Sequence, residues 1–349
     1  MRRAQIILIM STLWTIGLAD STCAQNSAFT HDGLQRQYRL HLPEALPESA
    51  PLVLVLHGYG GSNTGMFTGY GWTELADERG FAVACPNGTR DQWNSRFWNV
   101  GYEFHQPSDI DDDGFLVALA QYLQETHGLD PERTFVTGFS NGADMCFQLA
   151  CREPETFKGF APIAGTMLDS LFYDCDPAVL RPILSMSGDA DPITLFNGDP
   201  NNFDGWGAYR SIPEVISLWS ELLQTPFVNT ATLPDLDPTD GSRVELSQYT
   251  GSNRPTLRYY RILGGGHDWP GQSGNMDVDA TLEAWTFFEG IPPEVEPSPA
   301  DFNLDGTVDA LDLAVLLSAW GPTNPEGDLN GDGATNAQDL SALLAMWSG

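Results

Sequence analysis

Five aliphatic residues in a row, Leu52-Val53-Leu54-Val55-Leu56, constrain the fold more than any other feature of this 349-residue chain. A strand with one wet face alternates apolar and polar positions. An unbroken run is covered on both faces, as in parallel sheets flanked by helices. Phe81-Ala82-Val83-Ala84-Cys85 is a second such run, stopped by the turn Pro86-Asn87-Gly88. Further strands are expected at 134–137, 159–164, 183–187 and 257–263. Between them, Phe115, Leu119, Tyr122 and Leu123 share one helical face behind the acidic start Asp111-Asp112-Asp113, and Gly128 closes that helix. A second helix is expected over 141–151. Strands alternating with helices predict an α/β chain with a doubly wound, mostly parallel sheet. Residues 197–250 are rich in Pro, Gly, Asn and Asp, with one helix near 215–223. They read as an insertion over one end of the sheet.

The N-terminus reads as an export leader. Arg2 and Arg3 precede an apolar run from Ile6 to Ala19, too short to span a bilayer, and small residues up to Ala24 suit cleavage there. Removal of residues 1–24 takes Cys23 away and leaves an even four cysteines, Cys85, Cys146, Cys151 and Cys175, as an oxidising compartment favours. Spacing leaves all three pairings open. The charge of −31 argues against nucleic acid or an anionic membrane as partner.

Gly138-Phe139-Ser140-Asn141-Gly142 is a G-x-S-x-G pentapeptide set between an expected strand and an expected helix. Two glycines allow a sharp turn that presents the serine at its tip, with backbone N–H groups of the helix start beside it. A serine hydroxyl needs a base, and histidine suits that task near neutral pH. Of six histidines only His267 lies after Ser140, in Gly264-Gly265-Gly266-His267 behind an expected strand. The orienting acid should follow another strand. Asp191 is the first choice and Asp189 the second, both in Ser187-Gly188-Asp189-Ala190-Asp191. His57-Gly58-Tyr59 follows the first buried strand, so the backbone N–H groups of Tyr59 and Asn141 are the expected oxyanion donors, with His57 orienting that loop. Among loop aromatics (Trp93, Phe97, Trp98, Trp206 and Trp269), Trp98 and Trp269 are expected to bind substrate through their faces.

A Pro-rich linker over 291–300 leads into a duplicated unit, 301–349, with an offset of 27. Asp301, Asn303, Asp305, Asp309 and Asp312 stand at positions 1, 3, 5, 9 and 12 of the first copy. Asp328, Asn330, Asp332, Asn336 and Asp339 stand at those of the second. Gly306 and Gly333 occupy the turning position 6. Oxygen ligands at this spacing fit Ca²⁺. Helices are expected at 312–320 and 339–347.

The succession of Leu56-His57-Gly58, Pro86-Asn87-Gly88-Thr89, Gly138–Gly142, Ala161-Pro162-Ile163-Ala164-Gly165 and Gly265-Gly266-His267-Asp268-Trp269-Pro270 resembles the secreted α/β-hydrolase esterases that include poly(3-hydroxybutyrate) depolymerase-like, feruloyl and acetyl-xylan esterases. The resemblance covers about 35–290 within an expected domain of 25–290. It implies a Ser140, Asp191, His267 triad, a Cys151–Cys175 disulfide, and no cofactor for catalysis. Residues 301–349 resemble a type I dockerin, whose position 12 is Asp, as here. That resemblance implies calcium and a cohesin partner, although Ala310-Leu311 and Ala337-Gln338 depart from the usual recognition residues; a cell-surface or spacer role is the alternative. The expected activity is removal of feruloyl or acetyl groups from plant polysaccharides outside the cell. The alternatives are a polyhydroxybutyrate depolymerase and, from another class, a non-catalytic scaffold on the same fold.

Overall fold

The computed structural model describes residues 26–251, 255–293, 298–303, 307–322 and 324–348. The leader expected over 1–24 and the predicted ligand Asp305 lie outside the described residues. The chain divides into two compact units, one ending at Ile291 and the other beginning at Pro292.

In the large unit the strands are β1 (Ser27–His31), β2 (Leu34–His41), β3 (Leu52–Leu56), β4 (Ala82–Pro86), the short β5 (Thr89–Arg90) and β6 (Arg96–Phe97), β7 (Thr134–Phe139), β8 (Gly159–Ile163), β9 (Ile183–Gly188), β10 (Phe227–Thr232), β11 (Arg243–Tyr249) and β12 (Leu257–Leu263). Helices are α1 (Asn63–Gly69), α2 (Trp72–Arg79), α3 (Asp112–His127), α4 (Asn141–Arg152), α5 (Asp169–Asp174), α6 (Ile212–Leu222) and α7 (Ala280–Glu289). Ten strands form one sheet in the order β1-β2-β4-β3-β7-β8-β9-β12-β11-β10, and β5 pairs with β6 apart from it. The six from β4 to β12 run parallel, with antiparallel pairs at both edges.

The unbroken apolar runs have the expected cause. Leu52, Leu54 and Leu56 enter one core layer, Val53 and Val55 the other, so β3 is covered on both faces. Phe81 stacks on Trp285 at 3.7 Å and Phe135 on Phe288 at 4.7 Å, pinning α7 to the sheet. Helix α3 starts at Asp111, whose side chain accepts the Gly114 N–H, and ends at left-handed Gly128. After β3 the chain goes to β4 on one side of it and then returns to β7 on the other. Such a reversal opens a crevice at the carboxyl ends of the strands.

Segment 197–250 is only partly the insertion expected from its composition. Helix α6 packs Val215, Ile216 and Trp219 into the core, but β10 and β11 extend the sheet as an antiparallel edge. Their pattern is weak because only Val244 of the pair is fully buried and β10 is exposed throughout. Cys151 and Cys175 form the disulfide implied by the resemblance. Cys85 and Cys146 stay free, since they lie in opposite core layers on either side of the sheet.

The small unit holds α8 (Ala310–Ser318) and α9 (Ala337–Ala345) around Ala300, Val308, Leu316 and Leu343. Both helices begin two residues before the expected start, because Asp309 and Asn336 cap them in reciprocal boxes with Asp312 and Asp339. Ile291 packs on the core of the large unit and Ala300 is buried in that of the small one, and residues 294–297 of the expected linker lie outside the described residues.

Candidate active site

Ser140 stands between β7 and α4 with φ 55° and ψ −122°, a conformation that costs an L-residue energy. A Cβ on Gly138 would lie 2.4 Å from the Gly142 carbonyl oxygen, and one on Gly142 only 2.5 Å from that of Leu56. Both glycines of the pentapeptide are therefore fixed by close backbone approach. The Ser140 N–H donates to Ile163 O (3.0 Å), and its carbonyl accepts from Ala143 and Asp144. Next along, Asn141 is locked by its own amide: Oδ1 accepts the Trp98 N–H (2.7 Å) and Nδ2 donates to Trp98 O (3.0 Å). Its backbone N–H opens the helix, where no carbonyl of the preceding turn can accept it.

The loops after β9 and β12 meet beside Ser140. Asp191 Oδ2 lies 2.7 Å from His267 Nδ1, and its Oδ1 accepts the N–H groups of Ile193 (2.7 Å) and Thr194 (2.9 Å). The buried carboxylate thus keeps one oxygen for the imidazole and fixes the tautomer with Nε2 facing outward. Asp189 is engaged elsewhere, accepting from the Arg261 guanidinium (2.9 Å) and the Gly264 N–H (2.7 Å). Gly188 lets the two loops touch, since a Cβ there would sit 2.2 Å from Gly265 O.

Beyond β3, His57 is buried and holds the next loop in place. Its Nδ1–H donates to Gly58 O (2.8 Å), and its Nε2 accepts the Gly88 N–H (2.9 Å). Gly60 and Gly61 donate to Arg96 O and Gly58 O, while among the described residues the Tyr59 N–H has no acceptor. Burial, only partly opposed by the Gly58 bond, lowers the His57 pKa to about 4. A folded pKa below the unfolded value makes this stability full above pH ~6.5 and lost as pH falls towards 4. That loss amounts to about 3 kcal/mol. Urea titrations at pH 7.5 and 4.5 should therefore show a smaller acid loss for His57→Gln than for wild type. Equal losses would sink this account.

Ser140 and His267 line one cleft of about 380 Å³ with Tyr59, Met66, Tyr70 and Trp206. A smaller pocket also reaches Ser140, with Tyr102, Asp144, Thr166 and Tyr209 in its wall. Asp144 is a feature the sequence did not single out. It is buried at the first turn of α4, accepting from Tyr102 Oη (2.6 Å) and the Thr166 N–H (2.7 Å). Burial pushes its carboxyl up to about 6, against the pull of those two bonds.

The expectation that Trp98 and Trp269 contact substrate is overturned. They are 0% and 1% exposed, and their indole N–H groups are committed to His57 O (2.8 Å) and Thr281 Oγ1 (3.1 Å). Neither offers a ring face to a ligand. Trp206, within the 198–210 segment, lines the cleft.

In the second loop of the small unit, Asp328 accepts from the N–H groups of Gly331, Asp332 and Gly333. Asn330 and Asp332 hold the next N–H groups along the loop. Asp339 is fully buried and accepts from Leu329, Asn330 and Asn336. The first loop repeats this with Asp312, which accepts from Phe302, Asn303 and Asp309; Asp301 is buried as well. No ion pair among the described residues includes Asp328, Asp332 or Asp339. A divalent cation suits charge concentrated in this way.

A doubly wound sheet with a serine turn after β7 and an acid–imidazole pair across the same crevice defines an α/β-hydrolase. The chain belongs to the Esterase PHB depolymerase family, whose model matches residues 36–216, and it is an esterase. Residues 299–346 match the Dockerin type I domain. A Nocardia uniformis subsp. tsuyamanensis protein carrying an esterase name, NocK, is 31% identical over 68% of this chain and 72% of its own length. Poly(3-hydroxyalkanoate) depolymerase C of Paucimonas lemoignei is 28% identical over 67% and 58%, and feruloyl esterase B of Talaromyces funiculosus 27% identical over 54% and 49%. The chain thus spans about half to three quarters of the length of these relatives. Acetyl xylan esterase from Aspergillus awamori superposes with TM-score 0.55 at 15% identity, covering 73% of this chain and 94% of that one, which shows the shared fold.

Proposed function

We propose that the chain is an exported serine carboxylic ester hydrolase that removes feruloyl or acetyl groups from plant polysaccharides through an acyl-enzyme. Ser140 Oγ attacks the ester carbonyl and His267 takes its proton, then returns it to the leaving alcohol. Asp191 holds the imidazole and stabilises its charged form. The N–H groups of Tyr59 and Asn141 receive the oxyanion. A water molecule, activated by the same histidine, releases the acid. The observation that carries this reading is the 2.7 Å Asp191–His267 contact in the cleft that Ser140 lines.

The fungal feruloyl relative supports a polysaccharide ester. The Paucimonas depolymerase relative keeps poly(3-hydroxybutyrate) as the second reading. Product release from feruloylated arabinoxylan, acetylxylan and poly(3-hydroxybutyrate) decides between them. Ferulate or acetate is expected, and hydroxybutyrate alone would promote the depolymerase reading.

In the same proposal residues 1–24 are a leader, 25–290 the catalytic domain, and 301–349 a tether that docks on a cohesin or a cell-surface partner. No helix among the described residues is long and apolar enough to cross a membrane. The ligands proposed for Ca²⁺ are Asp301, Asn303, Asp305, Asp309 and Asp312, and Asp328, Asn330, Asp332, Asn336 and Asp339. The cation would supply structural charge neutralisation. So small a core depends on it. A chelator is expected to abolish the low-temperature calorimetric transition of the small unit, leaving that of the large unit in place. Unchanged melting of both would remove calcium from the account.

A further inference from the structure

Arg36, Arg90 and Arg96 line one polar pocket of about 400 Å³ on the β2–β4 side of the large unit. This is an unusual concentration in a chain with 16 basic against 47 acidic residues. Arg36 is buried and pairs with Asp112 at 2.6 Å, yet its Nε has no partner. Arg90 donates to the Asn94 carbonyl. No ion pair among the described residues includes Arg90 or Arg96. Burial lowers the Arg96 pKa, and the neighbouring Arg90 charge lowers it further, so the two guanidiniums repel one another across the pocket. Like charges held together without a counter-charge are unfavourable until a ligand brings one.

The rest of the lining describes that ligand. Gln35, Gln37, Asn87 and Thr89 line the same pocket, and among the described residues the buried Thr89 Oγ1 has no hydrogen-bond partner, which leaves it free to bond a hydroxyl. The volume falls within the roughly 300–1,000 Å³ of small-ligand sites. A guanidinium fork matches a carboxylate in two parallel bonds. In a chain of net charge −31, a local cationic pocket would fix one acidic sugar residue in register.

We propose that this pocket binds a uronate, the carboxylate-bearing sugar of an acidic plant polysaccharide, through Arg90 and Arg96 with Arg36 beside them. The identity of the polymer rests on the esterase reading above; the pocket's preference for a sugar acid does not. Its walls are tied to the oxyanion loop, because Arg96 O accepts the Gly60 N–H at 2.8 Å and the Gly88 N–H reaches His57 Nε2 at 2.9 Å. The site therefore lies on segments that also shape the catalytic cleft.

Calorimetric titration of the full chain with glucuronate, glucose and inorganic phosphate tests this. Intrinsic tryptophan fluorescence is a parallel signal, as the Arg36 guanidinium lies 6.0 Å from the Trp98 ring. Glucuronate is expected to bind at least tenfold more tightly than glucose and more tightly than phosphate, with affinity falling as salt rises. Arg90→Gln and Arg96→Gln should each weaken it at least tenfold. Arg90 is exposed, so its variant remains informative if Arg96→Gln misfolds. Equal binding of glucose, preference for phosphate, no binding, or unchanged affinity in Arg90→Gln would each overturn the proposal. Hydrolysis of p-nitrophenyl acetate by the same wild-type sample separates the two readings. Turnover without uronate binding sinks only the pocket, and uronate binding without turnover sinks only the esterase.

Discussion

Replacing Ser140 by alanine should lower ester hydrolysis by roughly a millionfold, leaving the residual rate that binding and the oxyanion donors alone provide. The variant should fold as the wild type does, because the Ser140 side chain caps no N–H of α4. Alanine keeps a Cβ and therefore keeps the strain at φ 55° and ψ −122°. Glycine would relieve it. Ser140→Gly is accordingly expected to be as inactive as Ser140→Ala yet more stable, by about 1–3 kcal/mol. Turnover of p-nitrophenyl acetate and urea denaturation of the three proteins give both numbers. A Ser140→Ala variant retaining a few per cent of activity would place the nucleophile elsewhere.

The second large effect separates two aspartates only two residues apart. Asp191→Asn should cut kcat about ten-thousandfold, since an amide in place of Oδ2 no longer holds His267 in the tautomer with Nε2 free to accept a proton. Asp189→Asn removes the charge paired with Arg261, in partly exposed surroundings, and leaves one amide oxygen to accept the Gly264 N–H. Its cost should fall on stability, about 1 kcal/mol, with kcat changed less than tenfold. Parallel kcat measurements on the two variants decide the matter. The reverse ranking would transfer the orienting role to Asp189.

Much of the architecture was legible because its causes are local in the chain. The run Leu52–Leu56 requires cover on both faces wherever it lies, and Gly138 and Gly142 announce a turn too tight for a Cβ. The expected helix over 141–151 and the strands at 159–164, 183–187 and 257–263 fall where β8, β9, β12 and α4 stand, within a residue or two. The hairpin of β1 and β2 and the edge strands β10 and β11 escaped notice, since edge strands are wet on several sides and carry little apolar alternation.

The site divides along the same line. The proposed nucleophile and base, Ser140 and His267, are read from a pentapeptide and from the order of residues, and both line the same cleft. Sequence could rank Asp191 above Asp189 but not decide, because both follow β9. The choice lies in what else claims each carboxylate, namely Arg261 and Gly264 for one and His267, 76 residues away, for the other. Trp98 and Trp269 looked like ligand platforms because they stand in loops, and packing turned both into the interior. Asp144 and the Arg90–Arg96 pair carry no motif at all. A sequence by itself determines which segments must be buried and which turns need glycine, because those demands act between neighbours in the chain. Which polar groups meet, and which are left without a partner, depends on distances between remote segments that exist only once the sheet has formed.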